Sequence, residues 1–132
     1  MNINVMKIFF VFIGGGIGAL SRYGLSGYIY KHTSINFPFG TLAVNSIALF
    51  LLGLFWGFIE HFSFSSTFNV FFVIGFVGGF STLASYLFET LQMLEDGQLS
   101  WSLLNILATN VLGFVALIVG IYFSKSILSY IK

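Results

Sequence analysis

The stretch Gly75 to Glu89, GFVGGFSTLASYLFE, decides how this chain folds. It lies inside a charge-free run from Phe62 to Phe88, long enough to cross a bilayer. Yet its middle carries Gly78, Gly79, Ser81 and Thr82 in close succession. Glycine weakens a helix, and Ser and Thr hydroxyls return hydrogen bonds to loosened backbone. Irregular backbone at membrane depth survives only where protein buries it or where it lines a cavity. The segment therefore reads as a membrane helix broken at mid-membrane, with carbonyl-rich ends. The rest of the chain reads as its housing.

Composition supports that housing. Of 132 residues only 7% are charged, and eighteen are phenylalanine. An ordinary soluble domain carries about 25% charged residues. The chain is therefore an all-α membrane protein forming a single domain over residues 1–132. Its formal net charge of +1 offers no face for nucleic acid or for an acidic partner. The absence of cysteine excludes a disulfide framework, thiolate catalysis and a thiol metal site.

A span requires about 20 mostly apolar residues. Four segments meet this, at about 5–30, 39–59, 68–94 and 101–124. The first lacks a small-residue cleavage site and reads as a span, not a signal peptide. Pro38 fits the start of the second helix. Gly14, Gly18 and Arg22 recur at every fourth position of the first span and share one face. The short connections make sequential helices antiparallel neighbours and put both termini on one side. Lys7, Lys125 and Lys132 then oppose Arg22 and Lys31, three cations against two. Orientation is weakly specified by this count. Either the chain simply has few charges to place, or it has dual topology and pairs antiparallel.

The inventory offers no catalytic constellation. His32 and His61 fall in loops, Asp96 is in a loop, and no HExxH, GxSxG or P-loop pattern occurs. The chain is read as not an enzyme.

The polar residues inside the spans are few and patterned. Arg22 is either an interfacial anchor or a positive charge that draws anions into a vestibule. Thr41 and Asn45 share one face of the second helix. They either bond to a neighbouring helix or offer uncharged donors to a small anion. Asn105, Thr109 and Gly113 form a second polar stripe, and Asn110, about 100° further round the helix, is expected to face elsewhere. Leu83 and Tyr86 follow the break at i, i+3 spacing. A ring edge carries partial positive charge and can contact an anion. Phe76, Phe80 and Phe88 are assigned to packing. Glu89 either ends the span at the membrane boundary or faces an aqueous vestibule.

With those residues in view, the chain resembles the Fluc fluoride channels, also called the CrcB family. The resemblance rests on GGGIGALSRYGLS (Gly14 to Ser26), FPFGTLAVNSIALFLLG (Phe37 to Gly53) and GFVGGFSTLASYLFE. It implies a fluoride-specific channel in the cell membrane, an antiparallel dual-topology dimer with two pores along its interfaces. It implies a structural sodium ion (Na+) at the dimer centre, held by the carbonyls of Gly78 and Ser81 beside the break at Gly79 and Thr82. By position it makes Asn45 and Thr41 pore residues, Arg22 the vestibule arginine, Glu89 the acidic residue near the polar track, and Asn105 and Thr109 part of that track. The chain departs from the family at Leu83 and Tyr86, where two phenylalanines are usual. It departs again at Ala48, where glycine is usual, and on the fourth helix. The departures point to a homodimer with altered pores or to one half of a heterodimer with a paralogous subunit.

The function implied is passive export of fluoride, which enters as neutral HF and is trapped inside as the anion. Two other readings fit four short spans. One is a small dual-topology drug exporter, which would use an acidic residue in the first helix. The other is a non-conducting structural partner subunit, which leaves the broken helix and the polar stripes without a purpose.

Overall fold

The computed structural model describes residues 4–131. Lys132, one of the cations counted above, lies outside the described residues. Helix α1 (Val5–His32) is followed by α2 (Phe39–Ile59). The third span is built of α3 (Ser66–Asn69), a π-helical stretch (Val70–Val77), α4 (Gly78–Phe80) and α5 (Leu83–Glu95). The last helix is α6 (Leu99–Ile131), and no strand occurs among the described residues. Four helical segments are long and apolar enough to cross a membrane: Val5–His32, Phe39–Ile59, Ser66–Glu95 and Leu99–Ile131. Large apolar side chains such as Leu20, Phe12 and Phe114 are exposed on the outer faces, where lipid would meet them. The chain is a multi-pass integral membrane protein.

Local chemistry explains most of the helix ends. Asn4 caps α1, its side chain accepting the Met6 N–H at 2.9 Å. Ser65 caps α3 in the same way. Gly97, at φ +74, makes the tight turn between α5 and α6. The last helix outruns its expected end at Ser124 and continues to Ile131. Hydropathy falls after Ser124, but no glycine or proline follows to stop the helix. Lys125 instead makes an ion pair with Glu60 at 3.2 Å, outside the apolar stretch.

Close packing follows the small residues. The tightest pairings are α1 against the third span and α2 against α6, which are next-but-one in sequence. The expected antiparallel neighbours α2 and the third span touch much less. A Cβ on Gly14 would come within 2.5 Å of the Phe71 carbonyl oxygen, and one on Gly18 would overlap that of Phe76. On the other side, a Cβ on Gly53 would overlap the Leu117 carbonyl, and one on Gly120 that of Phe50. Backbone-to-backbone contact of this kind is how membrane helices associate without a hydrophobic drive between them.

Between these pairs lies a small core of Val44, Ala48, Val77 and Phe80. Phe68, Phe72, Phe76 and Phe80 stack in a ladder along the third span, with centroids 6.3, 5.7 and 5.8 Å apart. Phe76 and Phe80 are thus packing residues. Phe88 points outward instead and is exposed.

Candidate functional site

The third span stops being helical at two residues, Ser81 (φ −73, ψ 157) and Thr82 (φ −148, ψ 107). Both glycines before it are helical, in α4. Gly79, expected in the break, is therefore not part of it. Its role is contact, since a Cβ there would meet the Gly15 carbonyl oxygen at 2.5 Å. Gly78 has open space, with nothing nearer its Cβ position than the Val73 oxygen at 3.7 Å.

What holds the break open is α2. Asn45 Nδ2 donates to the Thr82 carbonyl at 3.1 Å, and the Thr82 N–H donates to Asn45 Oδ1 at 2.8 Å. In an uninterrupted helix that N–H would have gone to the Gly78 carbonyl. Thr82 then restarts the chain as the N-cap of α5, its hydroxyl accepting the Ser85 N–H and donating to Ser85 Oγ. This is standard capping chemistry. Ser85 was not singled out in the sequence, and Thr82 is not followed three residues later by the Glu or Gln of a capping box.

One turn before Asn45 on α2, Thr41 belongs to a second cluster. Its hydroxyl donates to Glu89 Oε1 at 2.8 Å, and the Tyr30 hydroxyl donates to the same oxygen at 2.8 Å. The Thr41 N–H points at the Tyr30 oxygen, 3.3 Å away. Thr41 is 5% exposed. Glu89 thus sits at the N-terminal end of α2, where the helix dipole favours a negative charge. The other oxygen, Glu89 Oε2, is buried and has no partner among the described residues. Tyr30 had no signal in the sequence. It meets Glu89 across 59 positions of chain, with its ring lying over Gly40.

These two clusters border three cavities. A vestibule of about 620 Å³ is lined by Tyr30 and Glu89 together with the loop before Pro38. A cleft of about 310 Å³ shares Tyr30 and Glu89 and adds Arg22, Thr41, Thr82 and Ser85. Arg22 lies in this cleft and not in the vestibule, and no carboxylate lies within 4 Å of it among the described residues. A groove of about 390 Å³ is bordered by Thr82, Asn45, Leu83, Tyr86, Thr109 and Asn110. Thr82 is common to cleft and groove, so the break forms part of both walls.

The fourth-helix stripe divides. Thr109 and Gly113 line the groove. Asn105 does not. It is 1% exposed, with Nδ2 donating to Thr90 Oγ1 at 2.9 Å and Oδ1 accepting from Thr109 at 3.3 Å. Its amide is occupied behind the groove wall, where it ties α6 to α5. Asn110 was expected to face elsewhere but borders the groove. Its Nδ2 donates to the Tyr86 hydroxyl oxygen at 3.3 Å. The reach of the phenol covers the angular gap that the helical wheel left. Leu83 is 68% exposed along the open side of the groove, and Tyr86 is 8% exposed at its wall.

The groove is therefore lined by apolar side chains with a few uncharged polar groups, and among the described residues no carboxylate or cation borders it. Such a wall can strip water from a small anion and replace part of its hydration. Among the described residues there is no cluster of His, Cys, Asp and Glu that would hold a metal through side chains.

Comparison with known proteins gives consistent matches. The family model described as CrcB-like protein, Camphor Resistance (CrcB), matches residues 9–121. A fluoride-specific ion channel FluC of Parabacteroides distasonis is 38% identical over 97% of this chain and 100% of its own length. The protein of that name from Pyrococcus abyssi is 41% identical over 87% of this chain and 92% of its own. That from Desulforapulum autotrophicum is 34% identical over 92% of this chain and 98% of its own.

Proposed function

The chain belongs to the CrcB-like family, and from that premise we propose that it is a fluoride-specific ion channel that lets fluoride leave the cytoplasm down its gradient. It is a transporter and not an enzyme. The observation that carries the reading is the groove beside the break, an uncharged wall to which Asn45 and Tyr86 both bring hydrogen-bond donors among leucine side chains. Fluoride is small and strongly hydrated, so it needs close fixed donors. Chloride is larger and is held less well by a narrow site. The drug-exporter alternative lacks its acidic residue, since α1 contains none.

One chain leaves the groove open along Leu83. We read this as the face covered by a second subunit in an antiparallel, dual-topology dimer, either another copy or a paralogue. Asn110 is exposed beside the groove and its amide oxygen accepts no hydrogen bond from the described residues, which supports a protein partner on this side. The weak charge bias of the sequence supports dual topology.

A central sodium ion fits the exposed face at Gly78. The Gly78 carbonyl does not receive the Thr82 N–H, which goes to Asn45, and Gly78 is exposed. Helix-end carbonyls carry partial negative charge and suit a hard cation. Gly78 and Ser81 from each subunit would supply neutral oxygens, and the ion would act only as a structural link.

The test is fluoride efflux from liposomes holding the purified chain, read with a fluoride electrode. Fluoride release with chloride retained is the expected result. No release from the chain alone or with a co-expressed paralogue would reject the channel reading.

A further inference from the structure

The groove contains more hydroxyls than donors, and counting hydrogens separates them. Thr109 lines the groove, but its hydrogen goes to Asn105 Oδ1 at 3.3 Å. It faces the groove with lone pairs only. Asn45 uses one of its two N–H groups on the Thr82 carbonyl. Tyr86 is different. Its oxygen accepts from Asn110 Nδ2 at 3.3 Å, and that same nitrogen donates to the Ile106 carbonyl at 2.7 Å. A primary amide has two N–H groups, so both are engaged and Asn110 is fixed against its own helix. The Tyr86 oxygen therefore receives a hydrogen, and none of the described residues accepts the one it carries.

We propose that Asn110 is a positioning residue: it fixes the Tyr86 hydroxyl as a hydrogen-bond donor for the anion in the groove, and this donor sets the preference for fluoride over larger halides. The proposal rests on the channel reading above. A phenol O–H in a groove without charged side chains is a strong donor to an anion, because bonds to charged groups are worth more than neutral ones. Its reach also suits selectivity. A fixed O–H can approach a small anion closely, whereas a larger one meets Leu49 and Leu117, which line the groove with Tyr86. A purely structural role, tying α5 to α6, would leave selectivity unchanged.

The test is a double-mutant cycle on fluoride efflux from liposomes, with chloride efflux measured in parallel. Tyr86→Phe keeps the ring and removes the hydroxyl, and Asn110→Ala removes the positioning amide. Each single change is expected to lower the fluoride rate about tenfold. The fluoride-to-chloride ratio should fall with it. The double variant should lose no more than either single one. Losses that multiply to about a hundredfold, which is the product of two independent tenfold effects, would overturn the proposal. So would a Tyr86→Phe protein with the parent rate and ratio, which decides the matter even if Asn110→Ala fails to fold. Absence of fluoride release from the parent protein rejects the channel reading and this proposal together. Release by the parent with additive losses in the cycle rejects the proposal alone.

Discussion

Asn45 spends both ends of its carboxamide on the backbone of Thr82, accepting the N–H at 2.8 Å and donating to the carbonyl at 3.1 Å. The pairing imitates one rung of a β-ladder between a side chain on α2 and a single extended residue. It explains why the span breaks at Ser81 and Thr82 while Gly78 and Gly79 remain helical. A backbone N–H and C=O inside a membrane span must be satisfied by protein, and Asn45 satisfies both.

Removing that support should damage the fold as well as the groove. Asn45→Ala leaves two backbone groups without partners and is expected to destabilise the protein by about 2–4 kcal/mol. Asn45→Asp keeps the acceptor for the Thr82 N–H and loses the donor, so it should fall between parent and alanine variant. Thermal unfolding in detergent checks the order. If Asn45→Ala melts with the parent while flux is lost, Asn45 acts on the anion and not on the break.

The Tyr30, Thr41 and Glu89 cluster makes a second prediction. Two hydroxyls donate to one oxygen of Glu89. Hydrogen bonds to a charged acceptor contribute about 1.5–3 kcal/mol. Tyr30→Phe should therefore lower stability by about 1–2 kcal/mol. In a Glu89→Gln background the same change should lose clearly less, because the charged acceptor is gone. Equal losses in both backgrounds would show that Tyr30 acts through its packing on Gly40.

The spans were legible in the sequence because hydropathy is a local property; of the residues expected in the break, Ser81 and Thr82 leave the helix and Gly78 and Gly79 do not. Hydropathy located four segments, and the second matched Phe39 to Ile59. The groove was less legible because its members meet through tertiary contacts. Thr109 and Asn105 stand one turn apart on the same stripe, yet one borders the groove and the other is sealed behind it. Asn105 is taken up by Thr90 on α5, and no wheel drawn on one helix contains that partner. Asn110 was misplaced for the converse reason: its partner is the far tip of a tyrosine and not a backbone atom. Tyr30 carried no pattern at all. Its meaning comes from Gly40, whose missing Cβ lets the ring lie against α2.

Glycine positions divide sharply in expected tolerance. Gly18→Ala and Gly53→Ala would each push a methyl into the carbonyl of a neighbouring helix. Each should cost several kcal/mol or prevent folding, since backbone cannot move aside as a side chain does. Gly16 and Gly24 have nothing within 4 Å of a Cβ. Alanine there should be neutral or stabilising by up to about 1 kcal/mol, through helix propensity. Yield and melting temperature of the four variants check the split. A well-folded Gly18→Ala protein would contradict the close approach of α1 to the third span.

The outer face at Gly78 supplies the last prediction. Within one chain this glycine is exposed and has room for a Cβ, whose nearest contact would be the Val73 oxygen at 3.7 Å. A loss of assembly in Gly78→Val with the monomer still folded would then come from something outside the chain. The proposed dimer supplies it: two such faces would have to approach closely enough for their carbonyls to share one sodium. Gly78→Val is therefore expected to leave a folded monomer and abolish the dimer, read by light scattering in detergent. Replacing sodium by a large organic cation should weaken the dimer of the parent protein. At sodium 100 times its dissociation constant, the ion contributes about 2.7 kcal/mol, so its removal should lower the melting temperature measurably. The same exchange should have no effect on the Gly78→Val monomer, because no shared site remains to be emptied. A parent dimer indifferent to sodium, with Gly78→Val still dimeric, would place the interface on another face of the third span.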